Sequence, residues 1–140
     1  MSYLFGAGLQ ARIYERLASD ATLAGLVGTA IHDGMLKPGP DGAARDYVIL
    51  GDETVRANDT KTSVGAIHDF TVTVHSARDG FETAKRIAAA ICACLVDAPL
   101  PVEAGRLVAL RFLRAGAERG PAPEKRKISM RFRAVLDAAD

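Results

Sequence analysis

The chain has 140 residues, 49% hydrophobic and 25% charged, with 18 basic against 17 acidic side chains and a net charge of +1. That length suits one domain burying roughly two-thirds of its unfolded surface. The charge balance argues against a nucleic-acid binder, whose affinity comes largely from a basic stripe that neutralises phosphates.

Membrane insertion is excluded on similar grounds. The longest apolar run, Ile87 to Val96, is far short of the roughly 20 residues that span a bilayer. The opening MSYLFGAGLQAR lacks the basic-then-apolar order of a signal peptide. A soluble protein that folds in the cytoplasm is expected.

In chain order, Leu9, Ile13 and Leu17 recur at helical spacing and predict a first helix over about Leu4 to Leu17. Ser19 or Asp20 should cap a short second helix, ATLAGLV, that ends at Gly28. Ala30 to Asp33 is a brief candidate strand. Lys37-Pro38-Gly39-Pro40-Asp41-Gly42 is the strongest loop signal in the chain.

Tyr47 to Val55 and Ile67 to Ser76 follow as long strands. In the second, Phe70, Val72 and Val74 alternate against Thr71, Thr73 and His75, the two-residue period of a half-buried strand. RANDTKTSVGA between them is polar and too long for a tight hairpin. The period then switches at Arg78-Asp79-Gly80 to an alanine-rich helix over Asp79 to Leu95, which stops before Pro99 and Pro101. Asp79 should cap it, with Glu82 three residues later completing a capping box. Its inward stripe is Ala84, Ile87, Ala88, Ile91 and Leu95. The opposite side carries Ala89, Ala90 and Ala93 among few charges, either simply as good helix formers or because the helix makes a second contact, to a neighbouring subunit.

Two more strands close the chain. Arg106 to Ala115 places Val108, Leu110 and Phe112 on one face. Lys127 to Leu136 places Ile128, Met130 and Phe132 on one face and Ser129, Arg131 and Arg133 on the other. AGAERGPAPE connects them, again polar and long. The order α-β-β-α-β-β, with strand runs joined to their sequence neighbours, predicts an α+β domain: a mostly antiparallel sheet of about four strands, helices packed on one face. The other sheet face should show Thr71, Thr73, His75, Arg111, Arg131 and Arg133, mixed with Leu107 and Leu113.

The search for chemistry returns little. His68 and His75 lie seven apart on one strand, about 23 Å and on opposite faces, so they cannot share a metal. His32 has no partner ligand in view. Cys92 and Cys94, two apart on a helix, point about 200° apart and can share neither a disulfide nor a metal; they read as small buried apolar residues. Gly6-Ala7-Gly8-Leu9-Gln10-Ala11 matches a relaxed dinucleotide fingerprint, but no strand precedes it and no βαβ unit follows. Asp52/Glu53 and Asp97/Glu103 fall in strand ends or loops with no partner. No catalytic residue, metal ligand or cofactor is expected, so the reading is of a protein that is not an enzyme.

Several segments together resemble the phage tail terminator (tail completion) family, in the branch found in prophages and gene transfer agents. They are LQARIYERLASDATLAGLVGTAIHDG, DYVILGDETV, HDFTVTVHSARDGFETAKRIAAAI, the DAPLP turn into GRLVALRFL, and MRFRAVLD. The likeness runs from about Gly8 to Asp137, and the sequence departs mainly at KPGPDGAARD. The resemblance implies a structural protein: a homo-oligomeric ring, usually a hexamer, seated on the major tail tube protein at the head–tail junction. Such a ring stops tube growth and meets neck or head-completion proteins on its other side, while DNA only passes through the lumen. On that reading the candidate subunit or partner contacts are Arg56, Asn58, Asp59 and Lys61 in one loop, and Glu118, Arg119 and Lys125 in another. Ala89 and Ala93 on the helix back join them, with Arg111, Arg131 and Arg133 on the open sheet face. Another connector or stopper of the neck, and a small-ligand regulatory domain on a ferredoxin-like sheet, are the alternatives.

Overall fold

The computed structural model describes residues 3–33, 46–77, 80–103, 105–119 and 125–138. Two helices lead, α1 (Gly6–Ala18) and α2 (Ala21–Val27), then strands β1 (Ile31–Asp33), β2 (Asp46–Ala57) and β3 (Gly65–Ser76). Helix α3 (Glu82–Leu95) separates these from β4 (Gly105–Arg119) and β5 (Arg126–Ala138). The five strands form one sheet in the order β1-β2-β3-β5-β4, antiparallel throughout except for the parallel β1–β2 pair. The expected α+β class holds, with a fifth strand. The last strand inserts between β3 and β4, which leaves β1 and β4 as the two edges.

The α1–α2 corner forms as its sequence dictates. Leu9, Ile13 and Leu17 are buried on one stripe of α1. Asp20 caps α2, accepting the Leu23 N–H at 3.0 Å, and Gly28 closes it at φ 60°, a backbone state that suits a residue without Cβ.

Helix α3 starts later than expected. Its cap position is Phe81, with no side-chain cap. Glu82 is therefore the first helical residue, where it pairs with Arg86 four residues on at 2.8 Å, and it closes no capping box. Asp79 and the KPGPDG segment lie outside the described residues. At the other end Asp97 takes φ 59° and donates its N–H to the Leu110 carbonyl at 3.0 Å, tying the helix exit to β4.

All three helices cover one sheet face. Ile87, Ile91 and Leu95 of α3 are fully buried, as are Val72 and Val74 of β3 and Phe132, Ala134 and Leu136 of β5. Burying a side chain of this size contributes about 1.5–3 kcal/mol, so this shared layer dominates the fold's stability. Ala90, expected on the outer side of α3, is 9% exposed and belongs to the core; Ala88 is half-buried, while Ala89 and Ala93 are exposed. Cys94 is buried and Cys92 half-buried. Burial pushes both thiols above their ordinary pKa.

Bulges, which alternation cannot reveal, decide which residues share a face. In β2 one extra residue lies between Leu50 and Glu53. Glu53 thereby turns to the covered face, and Thr54 and Arg56 turn to the bare one. In β4 the extra residues are Val108 and Leu113. Leu107 consequently sits opposite Leu136 on the covered face, while Val108 leaves the face of Leu110 and Phe112. That corrects the expected assignment of both Val108 and Leu107.

Both hairpin connections are shorter than their composition implies. β2 and β3 pair as far as Ala57 and Ala66, and nested hydrogen bonds fold the turn between them: Asn58 N–H to Gly65 carbonyl, and Thr60 N–H to Ser63 carbonyl. β4 continues through Arg119, which pairs with Arg126, so Glu118 and Arg119 are strand residues.

Candidate interaction surfaces

Four kinds of surface remain once the core is assigned: the bare sheet face, the two sheet edges, and the outer sides of the helices. The bare face carries an arginine band. Arg133 stands opposite Arg111, and Arg131 opposite Arg114, in the β5–β4 register. Like charges directly across a strand pair repel, and the two arginines of β5 find compensation. Arg133 finds it in Asp69, with Nε and Nη2 at 2.8 and 2.9 Å from the two carboxylate oxygens. The paired guanidinium, with Arg131 and Arg56 nearby, holds the Asp69 carboxyl below its ordinary pKa. Arg131 donates to Thr71 at 2.8 Å and Thr54 at 2.9 Å. Arg111 and Arg114 are exposed and have no partner among the described residues.

Other charges on this face pair off along its rim: Arg106 with Asp137 at 3.4 Å and Lys127 with Glu118 at 3.6 Å. His75 stacks on Tyr47 with ring centroids 4.8 Å apart. Burial, and then Lys127 and Lys125, lower its pKa.

On the covered side, the β2 bulge brings Glu53 to the Tyr3 hydroxyl and to His68 Nδ1, the latter 3.3 Å away. His68 is fully buried, and its Nε2 makes no hydrogen bond among the described residues. Asp52 is exposed in mid-strand and Glu53 is half-buried, so this pair does not belong to a strand end. The Gly6–Ala11 segment is the opening of α1 itself, not the turn between a strand and a helix. Among the described residues no three potential metal ligands gather, and no helix is long and apolar enough to cross a membrane.

The expected contact residues fall into four places. Arg56 lies one residue before the end of β2, on the bare face. Asn58, Asp59 and Lys61 are exposed in the β2–β3 turn, where Asp59 accepts the Gly65 N–H and so has a turn-forming role. Arg119 and Lys125 are exposed near the β4–β5 turn. Ala89 lines an open groove of about 620 Å3 between α2 and α3, with Ala21, Gly25 and Arg86; Ala93 is exposed four residues further along α3. The structure thus brings Arg111, Arg131 and Arg133 together and adds Arg56 and Arg114, which sequence reasoning missed as members of this band because the bulges reset the alternation.

A second set was legible in sequence only at Leu113, which was expected on the open sheet face. Val108 is 51% exposed, Phe112 43% and Leu113 38% on the β4 edge. Tyr3, Leu4 and Tyr14 are likewise exposed around α1. Tyr3, Ala7, Ala11, Tyr14, Glu15, Asp33 and Leu50 line an open cleft of about 780 Å3 beside the opposite edge of the sheet.

This fold defines a small α+β domain with one bare sheet face and two open sheet edges. The chain belongs to the tail completion protein gp17 family, whose sequence pattern matches residues 11–137; it is a structural protein of the tail. Among solved structures it is similar to a chain in the virion of a native gene transfer agent particle, at 46% identity and TM-score 0.90. The match covers 98% of this chain and 100% of that one. Comparison with curated protein sequences finds no match.

Proposed function

We propose that this chain is a tail terminator: a ring of copies, six by the family's habit, seated on the head-proximal end of a phage-like tail tube. The observation that supports this most directly is the 46% identity, over essentially the whole of both chains, to a component of a gene transfer agent virion. The family match over residues 11–137 points the same way.

The mechanism is geometric. Tube growth repeats one heterologous contact, and a subunit with a matching lower face and a different upper face ends it. The turns at Asn58–Lys61 and beside Arg119 and Lys125 project from the ends of the sheet, where contacts with the tube protein and the neck would form. Ala89 and Ala93 would meet a ring neighbour. DNA passes through the lumen without being retained, in keeping with a net charge of +1, and the particle assembles in the bacterial cytoplasm. No chemical step is required of any residue.

Deletion of the gene tests the reading. Overlong or unjoined tails are expected. Filled heads that leak DNA, with tails of normal length, would instead assign the chain to the stopper of the neck. The regulatory-domain alternative gains no support from the space between α1 and the sheet: the pocket lined by Leu9, Gln10, Ile13, Leu50, Glu53 and Phe70 offers about 20 Å3, room for roughly one water.

A further inference from the structure

The two edges of the sheet differ in a complementary way. β4 is bare along its outer side: every residue from Arg111 to Arg119 is exposed. Its two bulges push out Val108 and Leu113, and Phe112 is exposed beside them. The charges interleaved with these are mostly basic: Arg106, Arg111, Arg114 and Arg119 against Glu118. At the other edge, β1 covers only Val48–Leu50 of β2. Next to it, the outer side of α1 shows Leu4, Ala7, Ala11 and Tyr14, an apolar stripe at helical spacing where a surface helix normally turns polar residues to water. Here the interleaved charges are acidic. Glu15 pairs with Arg12, but Asp33 and Asp52 are exposed and have no partner among the described residues.

Each patch has a bland explanation that fails for the pair. Bulges and charges on an edge strand protect it from pairing with stray strands, and that accounts for the arginines. It does not account for three large apolar side chains held out at the same edge, since exposed apolar area grouped in one place marks a contact site. The patches are also of the same order of length. Val108 to Leu113 spans about 15 Å of strand, and Ala7 to Tyr14 about 10 Å of helix.

From this complementarity we infer that the β4 edge of one copy docks, through side chains, into the α1–β1 cleft of the next. This rests on the ring reading above and deepens it by naming the joint. Leu113 and Phe112 enter the cleft between Tyr3, Ala11 and Tyr14, and Arg111 and Arg114 meet Asp33 and Asp52. The bulges keep the two backbones from fusing into one continuous sheet. Because the two patches lie at opposite edges of one sheet, the contact is head-to-tail: each copy uses both, and the series ends only by closing. Of the arginine band, Arg56, Arg131 and Arg133 are left free by this joint.

Cysteine cross-linking in assembled particles tests the inference. A chain carrying both Leu113→Cys and Ala11→Cys, oxidised in purified particles, should run on a non-reducing gel as a ladder ending at one closed multimer. Each single variant should give monomer alone, which also controls for Cys92 and Cys94. In a second measurement, Arg111→Glu with Arg114→Glu should reduce the ladder at least tenfold, and Asp33→Arg with Asp52→Arg on the same chain should restore it. A covalent dimer from Leu113→Cys by itself would mean that the edge meets its own copy, and would overturn the inference. So would the absence of a ladder, or of rescue, in particles that carry the chain at the head–tail junction. Particles without the chain at that junction would remove the ring reading and this joint with it.

Discussion

Arg133 lies in bidentate contact with Asp69 across the β5–β3 pair, Nε to one carboxylate oxygen at 2.8 Å and Nη2 to the other at 2.9 Å. The contact sits at the centre of the bare face, where Arg111 and Arg131 would otherwise crowd Arg133 with like charge alone. Among the described residues Asp69 is the carboxylate that pairs within this band of five arginines on three strands, Arg56, Arg111, Arg114, Arg131 and Arg133.

The Asp69 carboxyl is held below its ordinary value of 3.8, so in acid the unfolded chain takes the proton first. The stabilisation is therefore full above the unfolded value and disappears as pH falls through the folded one. Asp69→Asn should melt at a lower temperature than the wild type near neutrality, and the gap should shrink below about pH 4. A gap that stays constant into acid, measured by thermal unfolding followed by circular dichroism, would show that the contact is not what Asp69 contributes.

His75 titrates in a different window. Its pKa is lowered from 6.5, first by burial beside Tyr47 and then by Lys127 and Lys125. The folded state disfavours the proton that the unfolded state accepts. Stability should be complete above about pH 6.5 and fall as pH drops through the folded value. His75→Gln should flatten the melting temperature between pH 7 and 5 without altering the acid limb that belongs to Asp69. An unchanged slope in that range would place the titration elsewhere.

Two glycines should respond in opposite directions. A Cβ on Gly65 would lie 2.8 Å from the carbonyl oxygens of both Asn58 and Leu136, backbone atoms on two sides that cannot move apart without opening the β2–β3 turn. Gly65→Ala should cost on the order of 1–3 kcal/mol, as overpacking does. Gly25, inside α2, has nothing within 4 Å of its would-be Cβ. Gly25→Ala should stabilise by about 0.5–1 kcal/mol through helix propensity and a less disordered unfolded state. Urea unfolding of the two variants would check both signs.

Much of the fold was legible because it follows local rules. The stripe Leu9, Ile13, Leu17 and the cap at Asp20 gave α1 and α2 nearly to the residue, and the alternation around Phe70, Val72 and Val74 gave β3. Features that depend on a partner strand were not legible. Nothing in the sequence of β4 announces that Val108 and Leu113 are extra residues, since a bulge is set by register against β5. The faces of Arg56, Leu107 and Val108 were consequently misread or left unassigned. The extent of the hairpins escaped for a related reason: AGAER is polar and small, yet it continues β4 because β5 already supplies its hydrogen-bonding partner. The arginine band was half visible, as Arg111, Arg131 and Arg133. The cleft beside α1 was not visible, because it forms between residues far apart in the chain, from Tyr3 to Leu50.

Helix α3 allows folding and assembly to be separated on one element. Ile91 is fully buried, and Ile91→Ala should destabilise by about 2–5 kcal/mol, the lost burial plus the cavity left behind. Ala93, two residues on, points to solvent; Ala93→Glu should alter stability by no more than about 0.5 kcal/mol. If Ala93 meets a ring neighbour, that same change places a desolvated charge in the contact, which is costly without a partner. The yield of joined, full-length particles should then fall at least tenfold while the isolated chain melts as the wild type does. Normal particle yield from a stably folded Ala93→Glu chain would remove the outer side of α3 from the contact surface, and would leave the β4 edge and the α1 cleft as the surfaces still to be tested between copies.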